Sequence, residues 1–477
     1  MNSIRTPQDV ISDIKENNVK WIRLQFCNVW GTLHQFSVPS MEVDTDSFSK
    51  GFSLDGSSIS GFQEVDNSDM YMIPDPDTFT ILPKYFDQDH QNKDQQFSTK
   101  SASMFVKLYQ GNHGKRFPRD SRYVAEKADN IAKDAGFDAI CAAEVEFWIF
   151  DKMRLDISAG SAVSPYVIHS RETASSNLDR FEETIPNKGG YYIAPPNDHL
   201  SNFRDEVAET LMGFGIRVSA QHHEVGAAGQ CEVILKYGSA LSSSDEIMIA
   251  HKTIREIAAK RGMVASFIPK PFENDNRSAQ HMNHSLWQTK NGQKINAFFD
   301  PEDKYAELSQ TGYYYVGGIL EHAKSLCFIT NPSENSYKGL VPGFEAPVYI
   351  AWSTGNRSSA IRIPAHRRNM NKLKRVEFRV PDPSSNIYLA NTAILLAGLD
   401  GIKKKIQPPS PVDKIIYNLS EMERRALGIS KLPSSLDAAR EELRADNEYL
   451  QGAMDTAMLD AMFETKNTKE LFPVVSS

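Results

Sequence analysis

Closely spaced cysteines are absent from this 477-residue sequence. Its four cysteines lie singly along the chain, and they are Cys27, Cys141, Cys231 and Cys327. Disulfide scaffolds and structural zinc sites both need cysteines at short, repeated spacings. The pattern therefore predicts reduced thiols inside the core and a cytoplasmic location.

An excess of positive charge and a long apolar run are also missing. The chain has 53 basic residues against 61 acidic ones, a net charge of -8, which argues against a broad nucleic-acid surface. The most apolar helical stretch, Ile387 to Leu399, is interrupted by Asn391 and is too short to span a bilayer. The segment from Met1 to Ser12 lacks the basic and apolar regions of a signal peptide. We expect neither a nucleic-acid nor a membrane partner.

No Walker A loop is found either. The segment from Gly111 to Lys115 (GNHGK) is too short, and no serine or threonine follows its lysine. If the protein uses ATP, a different scaffold must hold the nucleotide.

The length of the chain exceeds that of a single ordinary core, so two or more domains are expected. Ile22, Leu24 and Phe26 alternate with polar residues, which predicts a half-buried strand near the start. From about Phe117 onward, helical patterns alternate with strand patterns. We predict an α+β fold with a small domain over residues 1–110 and a larger catalytic domain over residues 111–477.

Capping residues predict where several helices begin. Thr6 and Pro7 can open a short N-terminal helix, and Asp120 can cap a second one. Ser244 is predicted to cap a third helix, which ends at Gly262.

An apolar strand pattern carries two glutamates, Glu144 and Glu146. Residues two apart on a strand point the same way, so both carboxylates would project from one face. Adjacent carboxylates repel unless a cation or a proton lies between them. An exposed strand face is at least as good an explanation for this segment alone.

A second acidic cluster, HHEVGAAGQCE, begins at His222 and ends at Glu232. Gly226 and Gly229 let the chain turn, so Glu224 and Glu232 can lie on paired strands or a hairpin. Neighbouring histidines do not reproduce the helical face of a zinc protease, whereas carboxylate oxygens suit Mg²⁺ or Mn²⁺. His281 lies in a third polar segment, where a single histidine is more often structural than a ligand.

Arginines are concentrated between residues 357 and 379. Arg375, Glu377 and Arg379 alternate with apolar residues, so a strand would place all three on one face. An exposed, salt-bridged strand is one explanation of this pattern. The other is stabilisation of a γ-phosphoryl group in transfer, where metal ions and guanidiniums neutralise the moving charge.

Taken together, these segments resemble type I glutamine synthetase over nearly the whole chain. Seven motifs occur in the family's order and spacing. They are DGSS at 55–58, KGGY at 188–191, HHEV with the following AGQ.EV at 222–233, NPSENSYK at 331–338, VPGFEAPV at 341–348, NRSSAIRIP at 356–364 and VEFRVPDPSSN at 376–386.

The resemblance implies a small N-terminal β-grasp domain and a larger domain whose curved antiparallel sheet lines a funnel-shaped site. It implies a glutamate–ammonia ligase that uses ATP with two or more Mg²⁺ or Mn²⁺ ions per site. The acid attacks ATP to form an acyl phosphate, which ammonia then attacks. Family members form six-membered rings, usually stacked as dodecamers, with active sites between subunits.

The resemblance also assigns roles to individual residues. Two metal sites are implied, one formed by Glu146, Glu224 and Glu232 and the other by Glu144, His281 and Glu377. The nucleotide and its transferring phosphate would be held by Tyr237, Ser285, Arg357, Arg362, Lys372 and Arg375. The acid substrate would contact Asn276 and Arg379. Ammonium would lie among Tyr191, Glu224 and, offered by the adjacent subunit, Asp55 and Ser58. Asp55 would act as the base, and Glu345 belongs to a flap that shields the acyl phosphate.

The sequence departs from the family pattern on the acid-substrate side. Gly339 stands where the family has an arginine for the α-carboxylate of glutamate, and Arg277 and Ala279 replace two glycines. Three explanations are open: Arg277 supplies the missing guanidinium, the enzyme acts on a different acid or amine, or the chain is a non-catalytic, regulatory paralogue. Tyr417 matches a tyrosine that some members adenylylate, although an ordinary surface tyrosine is the preferred interpretation.

Overall fold

The computed structural model describes residues 4–83, 100–111, 114–154, 167–173, 184–342 and 346–464. The predicted flap residue Glu345 lies outside these ranges. Contacts divide the chain into two compact units. The first comprises described residues within Met1–Val124, Glu209–Ile216 and Met454–Glu464, and the second those within Ala125–Ala208 and Arg217–Ala453.

The first unit contains a six-stranded sheet with strand order β2-β1-β6-β4-β3, in which β5 also pairs with β6. Its strands are β1 (Trp21–Cys27), β2 (Leu33–Pro39), β3 (Phe52–Asp55), β4 (Asp69–Pro74), β5 (Thr80–Ile81) and β6 (Ser101–Gln110). The central strands β1 and β6 run parallel, whereas β1 and β2 are antiparallel. Ile22, Leu24 and Phe26 are buried, as their alternation predicts.

The second unit is built on a ten-stranded sheet with strand order β10-β11-β7-β13-β17-β16-β15-β18, to which β12 and β14 add at β7 and β13. Its strands are β7 (Asp138–Phe150), β10 (Val218–His223), β11 (Gln230–Leu235), β12 (Val264–Ser266), β13 (Gln280–Lys290), β14 (Gln293–Asn296), β15 (Tyr349–Ser353), β16 (Ser359–Arg362), β17 (Val376–Phe378) and β18 (Ser430–Lys431). A separate pair is formed by β8 (Lys152–Arg154) and β9 (Val167–His169). The sheet is antiparallel except between β15 and β16, which are parallel. These sheets and the helices beside them confirm the α+β prediction.

Twelve α-helices lie in the described part of the chain. They are α1 (Pro7–Glu16), α2 (Ser47–Lys50), α3 (Ser121–Asp134), α4 (Ser201–Gly213), α5 (Ala240–Lys260), α6 (Gln310–Glu321), α7 (Ala323–Thr330), α8 (Glu334–Gly339), α9 (Ile387–Lys404), α10 (Glu421–Ala426), α11 (Leu436–Ala445) and α12 (Thr456–Phe463). The apolar helix α9 is a core helix, buried along most of its length. None of the described helices has the length and apolar character needed to cross a bilayer.

Helix starts agree with the capping patterns in two places and disagree in one. Thr6 caps α1 with Pro7 at its first position, and α3 begins directly after Asp120. The prediction that Ser244 caps a helix is wrong, because α5 begins at Ala240. There Ser239 and Ser242 form reciprocal capping hydrogen bonds. Ser244 lies inside the helix and donates to the carbonyl of Ala240 at 2.7 Å.

Candidate functional site

The register of β7 and β13 brings Glu144 opposite His281. The side chains meet, with His281 Nδ1 2.9 Å from Glu144 Oε2. On the other side of β13, Asn283 lies opposite Glu377 of β17, and its amide donates to Glu144 Oε1 at 3.2 Å. Three adjacent strands therefore direct polar side chains toward one place on the sheet.

Glu377 is fully buried between two arginines. Arg379 Nη1 donates to Glu377 Oε1 at 2.5 Å, and Arg362 Nε donates to Oε2 at 2.8 Å. The regular strand is only Val376–Phe378, so Arg379 extends from its end. Because Glu377 and Arg379 are buried, the exposed salt-bridged strand considered from the sequence is wrong.

Glu144, His281 and Glu377 offer ligand atoms that all lie within 4.8 Å of one another. Burial opposes ionisation of Glu144, but the His281 hydrogen bond and the Arg379 charge keep its pKa below the usual value. Burial lowers the pKa of His281, which favours the neutral imidazole that metal ions bind. This first acidic cluster can therefore hold a divalent cation.

A second group of ligand atoms within 4.8 Å comes from His222, Glu224 and Glu232. His222 lies opposite Glu232 in the pairing of β10 with β11, and its Nε2 is 3.2 Å from Glu232 Oε1. Glu224 follows the last residue of β10, so the glutamates meet across the predicted hairpin. Sequence reasoning missed His222, although its two-residue spacing from Glu224 on a strand places both side chains on one face.

Glu146 lies opposite Glu232 in the pairing of β7 with β11. Its Oε2 accepts hydrogen bonds from Gln230 Nε2 at 3.1 Å and from the Ala279 amide at 2.8 Å. Burial raises the pKa of Glu146, and the charges of Glu224 and Glu232 raise it further. Mutual repulsion among buried carboxylates is the situation that a bound divalent cation relieves. The donor set fits Mg²⁺ or Mn²⁺.

A buried network fixes the backbone beside Glu224. His223 Nδ1 lies 2.6 Å from the Glu224 carbonyl oxygen, and its Nε2 lies 3.0 Å from Glu172 Oε2. Gly190 approaches so closely that a Cβ there would lie 2.4 Å from the Glu224 carbonyl oxygen. Packing therefore requires glycine at the second glycine position of the KGGY motif, Gly190.

The residues assigned to the nucleotide differ in their surroundings. Arg375 is half-buried and donates to Asn283 Oδ1 at 2.8 Å, which connects it to the first acidic cluster. Ser285 lies on β13, and its Oγ accepts from Trp287 Nε1 at 3.1 Å. Tyr237 and Lys372 are exposed.

Arg357 is exposed and lines a cavity of about 630 Å³ together with Asn356, Asp413 and Tyr417. Its charge opposes the rise in pKa that burial and neighbouring carboxylates cause at Glu232. Tyr417 is half-buried, and its hydroxyl donates to the carbonyl of Ala346. The hydroxyl of this cavity-lining tyrosine is therefore hydrogen-bonded to the backbone.

The residues assigned to the acid and ammonium lie in both units. Asn276 and Arg277 are buried in the second unit, where Tyr191 is exposed and stacks on Tyr192 at 4.1 Å. Asp55 and Ser58 lie in the first unit and are joined by a 2.7 Å hydrogen bond. Hydrogen bonds from the Ser57 and Ser58 side chains lower the pKa of Asp55, so this exposed carboxylate stays ionised.

Two family models match most of this chain. The family described as "Glutamine synthetase, catalytic domain" matches residues 118–474, and "Glutamine synthetase, beta-Grasp domain" matches residues 18–109. The glutamine synthetase of Sulfolobus acidocaldarius is 43% identical, covering 98% of this chain and 97% of the relative. That of Streptomyces filamentosus is 40% identical, covering 97% and 94%.

Among solved structures, the Plasmodium falciparum glutamine synthetase superposes with a TM-score of 0.83. The two sequences are 24% identical, and the match covers 96% of this chain and 95% of the other. That likeness supports the fold, and the family matches and sequence relatives carry the assignment. The chain belongs to the glutamine synthetase family.

Proposed function

We propose that this chain is a cytoplasmic, ATP-dependent glutamate–ammonia ligase that forms glutamine through γ-glutamyl phosphate. One observation carries the chemistry: the cluster of Glu144, His281 and Glu377 lies in direct contact with the guanidiniums of Arg362 and Arg379. Carboxylates for cations and guanidiniums for phosphate are the two components that phosphoryl transfer from ATP requires.

Two metal sites are part of the proposal. Glu144, His281 and Glu377 would hold one ion, and Glu146, Glu224 and Glu232, with His222 beside them, would hold another. When bound, Mg²⁺ or Mn²⁺ supplies positive charge that neutralises the phosphate oxygens of ATP. The buried carboxylates contribute fixed positions, because the strand register and hydrogen bonds hold their side chains in place.

The arginines would stabilise the transferring group. Arg357 and Arg362 bind the γ-phosphate, while Tyr237, Ser285, Lys372 and Arg375 surround the rest of the nucleotide. The carboxylate oxygen of glutamate attacks the γ-phosphorus, the bond to ADP breaks, and negative charge develops on the phosphoryl oxygens. The guanidinium of Arg362 is held beforehand by its ion pair with Glu377, so it needs little reorganisation as that charge appears.

The second step joins nitrogen to the activated acid. Asn276, Arg277 and Arg379 bind glutamate. Asp55 and Ser58, offered by the adjacent subunit, form the ammonium pocket with Tyr191 and Glu224. Asp55 takes a proton from ammonium, and the ammonia formed attacks the acyl carbon. The bond from that carbon to the phosphate oxygen then breaks, so phosphate leaves with one of the former carboxylate oxygens and takes up the second proton that the nitrogen loses. Glu345 belongs to the flap that excludes water from the acyl phosphate.

The organisation of the chain is part of the same proposal. We assign residues 1–110 to the β-grasp domain and residues 111–477 to the catalytic domain. The active form is a homo-oligomer, a six-membered ring stacked as a dodecamer, with each site shared between neighbouring subunits.

The test is a reaction containing ATP, Mg²⁺, glutamate and ammonium, in which glutamine, ADP and phosphate are all measured. The proposal expects the three products in equal amounts and none when any one reactant is omitted. An absence of glutamine at saturating glutamate would overturn it. Phosphate release with other acids or amines would then identify a related ligase of altered specificity.

A further inference from the structure

Two buried arginines of the second unit each have a nitrogen that finds no hydrogen-bond partner in the described part of the chain. Arg277 is 5% exposed and Arg379 is 3% exposed. Arg277 Nη2 donates to the carbonyls of Arg379 and Val380 at 2.9 and 3.0 Å, while Nη1 has no hydrogen-bond partner among the described residues. Arg379 Nη1 donates to Glu377, while Arg379 Nε has no hydrogen-bond partner among the described residues. Buried guanidinium nitrogens without acceptors are costly, which points to an acceptor supplied by a ligand.

The carboxylates whose charges act most on Arg277, Asp382 and Glu146, are already engaged by other donors. Asp382 accepts from Asn331 Nδ2 at 2.9 Å and from the Ser384 hydroxyl at 2.5 Å. The Oε2 of Glu146 accepts from Gln230 and from a backbone amide. The guanidinium of Arg277 is therefore held in place by carbonyl groups, and none of the described carboxylates is hydrogen-bonded to it.

Gly339 leaves the space through which the Arg277 side chain passes. A Cβ built at Gly339 would lie 3.2 Å from both Cβ and Cδ of Arg277, and 3.7 Å from Cβ of Lys270. These distances are tighter than ordinary van der Waals contact on the Arg277 side. A side chain at position 339 therefore requires the Arg277 side chain to shift.

The backbone on either side of this contact has little freedom to move away. Lys270 and Asn335 are joined by two hydrogen bonds, from the Lys270 amide to Asn335 Oδ1 at 2.7 Å and from Asn335 Nδ2 to the Lys270 carbonyl at 3.0 Å. Asn335 lies on α8, the helix that ends at Gly339. This pair connects α8 to the segment that carries Arg277, so the two positions are packed as one unit.

We propose that Arg277 determines acid specificity by binding the carboxylate of the substrate that is not phosphorylated, and that Gly339 is required for its path. This inference rests on the proposed function and deepens it. It selects Arg277 as the replacement for the guanidinium that the family pattern has at position 339. The free Nη1 and the planar fork of arginine suit a carboxylate, whereas a lysine would offer only a point charge.

The experiment compares four variants with the unmodified full chain: Arg277→Gln, Arg277→Lys, Gly339→Ala, and Arg277→Gly combined with Gly339→Arg. Steady-state rates are measured with glutamate and with 4-aminobutyrate, which is glutamate without its α-carboxylate. Arg277→Gln is expected to raise the KM for glutamate about 10- to 100-fold, the loss of a charge-assisted hydrogen bond. The KM for ATP and the rate with 4-aminobutyrate should change less than about threefold.

The remaining variants separate binding from folding. Arg277→Lys should recover part of the glutamate KM, Gly339→Ala should raise it by displacing Arg277, and the double variant should bring it back toward the original value. Arg440→Gln is the matched control. Arg440 Nε is also buried without a partner among the residues that the structure describes, but this arginine pairs with Asp437 on helix α11. Thermal unfolding is recorded for every variant, so Gly339→Ala decides the question if Arg277→Gln does not fold.

The inference fails if Arg277→Gln or Gly339→Ala folds and keeps the glutamate KM of the original chain. A fall in kcat with all KM values unchanged would also overturn it, since that is the signature of a structural role. If the unmodified chain forms no glutamine, the proposed function fails by itself. Glutamate-induced thermal stabilisation, lost in Arg277→Gln and kept in Arg440→Gln, would then still support the binding role of Arg277, and its persistence in Arg277→Gln would refute that role.

Discussion

His222 and Glu232 face each other across β10 and β11, with the imidazole Nε2 3.2 Å from a carboxylate oxygen. Glu224 Oε1 lies 3.9 Å from the other ring nitrogen. The histidine is therefore surrounded by the carboxylates to which we assign a metal ion, and it can complete their ligand set or orient them.

The first prediction concerns this histidine. His222→Gln should weaken Mn²⁺ binding by at least about tenfold, as measured by titration calorimetry on the purified chain. The Mg²⁺ concentration for half-maximal activity should rise in the same proportion. His169→Gln, at an exposed position on β9, is the control and should change neither value. Unchanged Mn²⁺ affinity in His222→Gln would remove this residue from the metal site.

A second prediction concerns the buried ion pairs of Glu377. Glu377→Gln keeps the shape of the side chain but leaves Arg362 and Arg379 without their negative partner. Unpaired buried charges are costly, so the free energy of unfolding without metal should fall by about 3 kcal/mol. Glu421→Gln removes the exposed pair with Arg425 and should cost at most about 0.5 kcal/mol.

Denaturant unfolding of the two glutamine variants and the original chain provides the measurement. Equal stability of Glu377→Gln and Glu421→Gln would show that the buried pairs contribute nothing beyond a surface pair.

Much of this site follows from strand periodicity. The two-residue spacing of Glu144 and Glu146 places them on one face, and the structure has both on β7 with their side chains toward neighbouring strands. The two glycines after Glu224 indicate the hairpin that brings Glu232 nearby. Local spacing suffices in these cases because strands alternate regularly.

Other features depend on contacts that the sequence does not reveal. The sequence does not identify His222 as a ligand, because adjacent histidines lack the helical spacing of a zinc motif and its partner Glu232 lies on the next strand. The capping pattern predicts the start of α5 too far along the chain. The helix begins at Ala240, where Ser239 and Ser242 form its N-terminal cap, and Ser244 lies inside it. The side chain of Arg277 lies against Gly339, which is 62 residues further along the chain. Only the folded structure shows that these two positions are in contact.

The third prediction concerns pH. The ring of His251 is buried, with its centre 4.2 Å from that of the tilted Phe267 ring, and its Nε2 lies 3.0 Å from Gln280 Oε1. Burial, with the nearby charge of Arg255, lowers the pKa of His251 to about 3, below its ordinary value of 6.5. Between these values the unfolded chain binds a proton that the folded chain does not, so stability falls as pH decreases through this window.

His251 alone should lower the free energy of unfolding by about 1.4 kcal/mol for each pH unit of acidification between about pH 6 and pH 4. His251→Gln removes the titrating ring, so its free energy of unfolding should fall less steeply over the same range. Denaturant unfolding at half-unit pH intervals makes the comparison. Parallel pH profiles for the two proteins would contradict the assigned cause.

The fourth prediction concerns assembly. If active sites are shared between neighbours, the active species should have six or twelve times the 53.5 kDa mass of one chain. Light scattering coupled to size-exclusion chromatography measures that mass, and activity is assayed across the eluted fractions. Full activity in a fraction of single-chain mass would show that each chain contains a complete site.

The most direct test of the central claim is oxygen transfer from the acid to phosphate. Glutamate labelled with ¹⁸O in its γ-carboxylate is converted in the presence of ATP, Mg²⁺ and ammonium, and the released phosphate is analysed by mass spectrometry. Formation of γ-glutamyl phosphate predicts one ¹⁸O atom in each phosphate for every glutamine formed. Glutamine accompanied by unlabelled phosphate would contradict carboxylate activation by ATP.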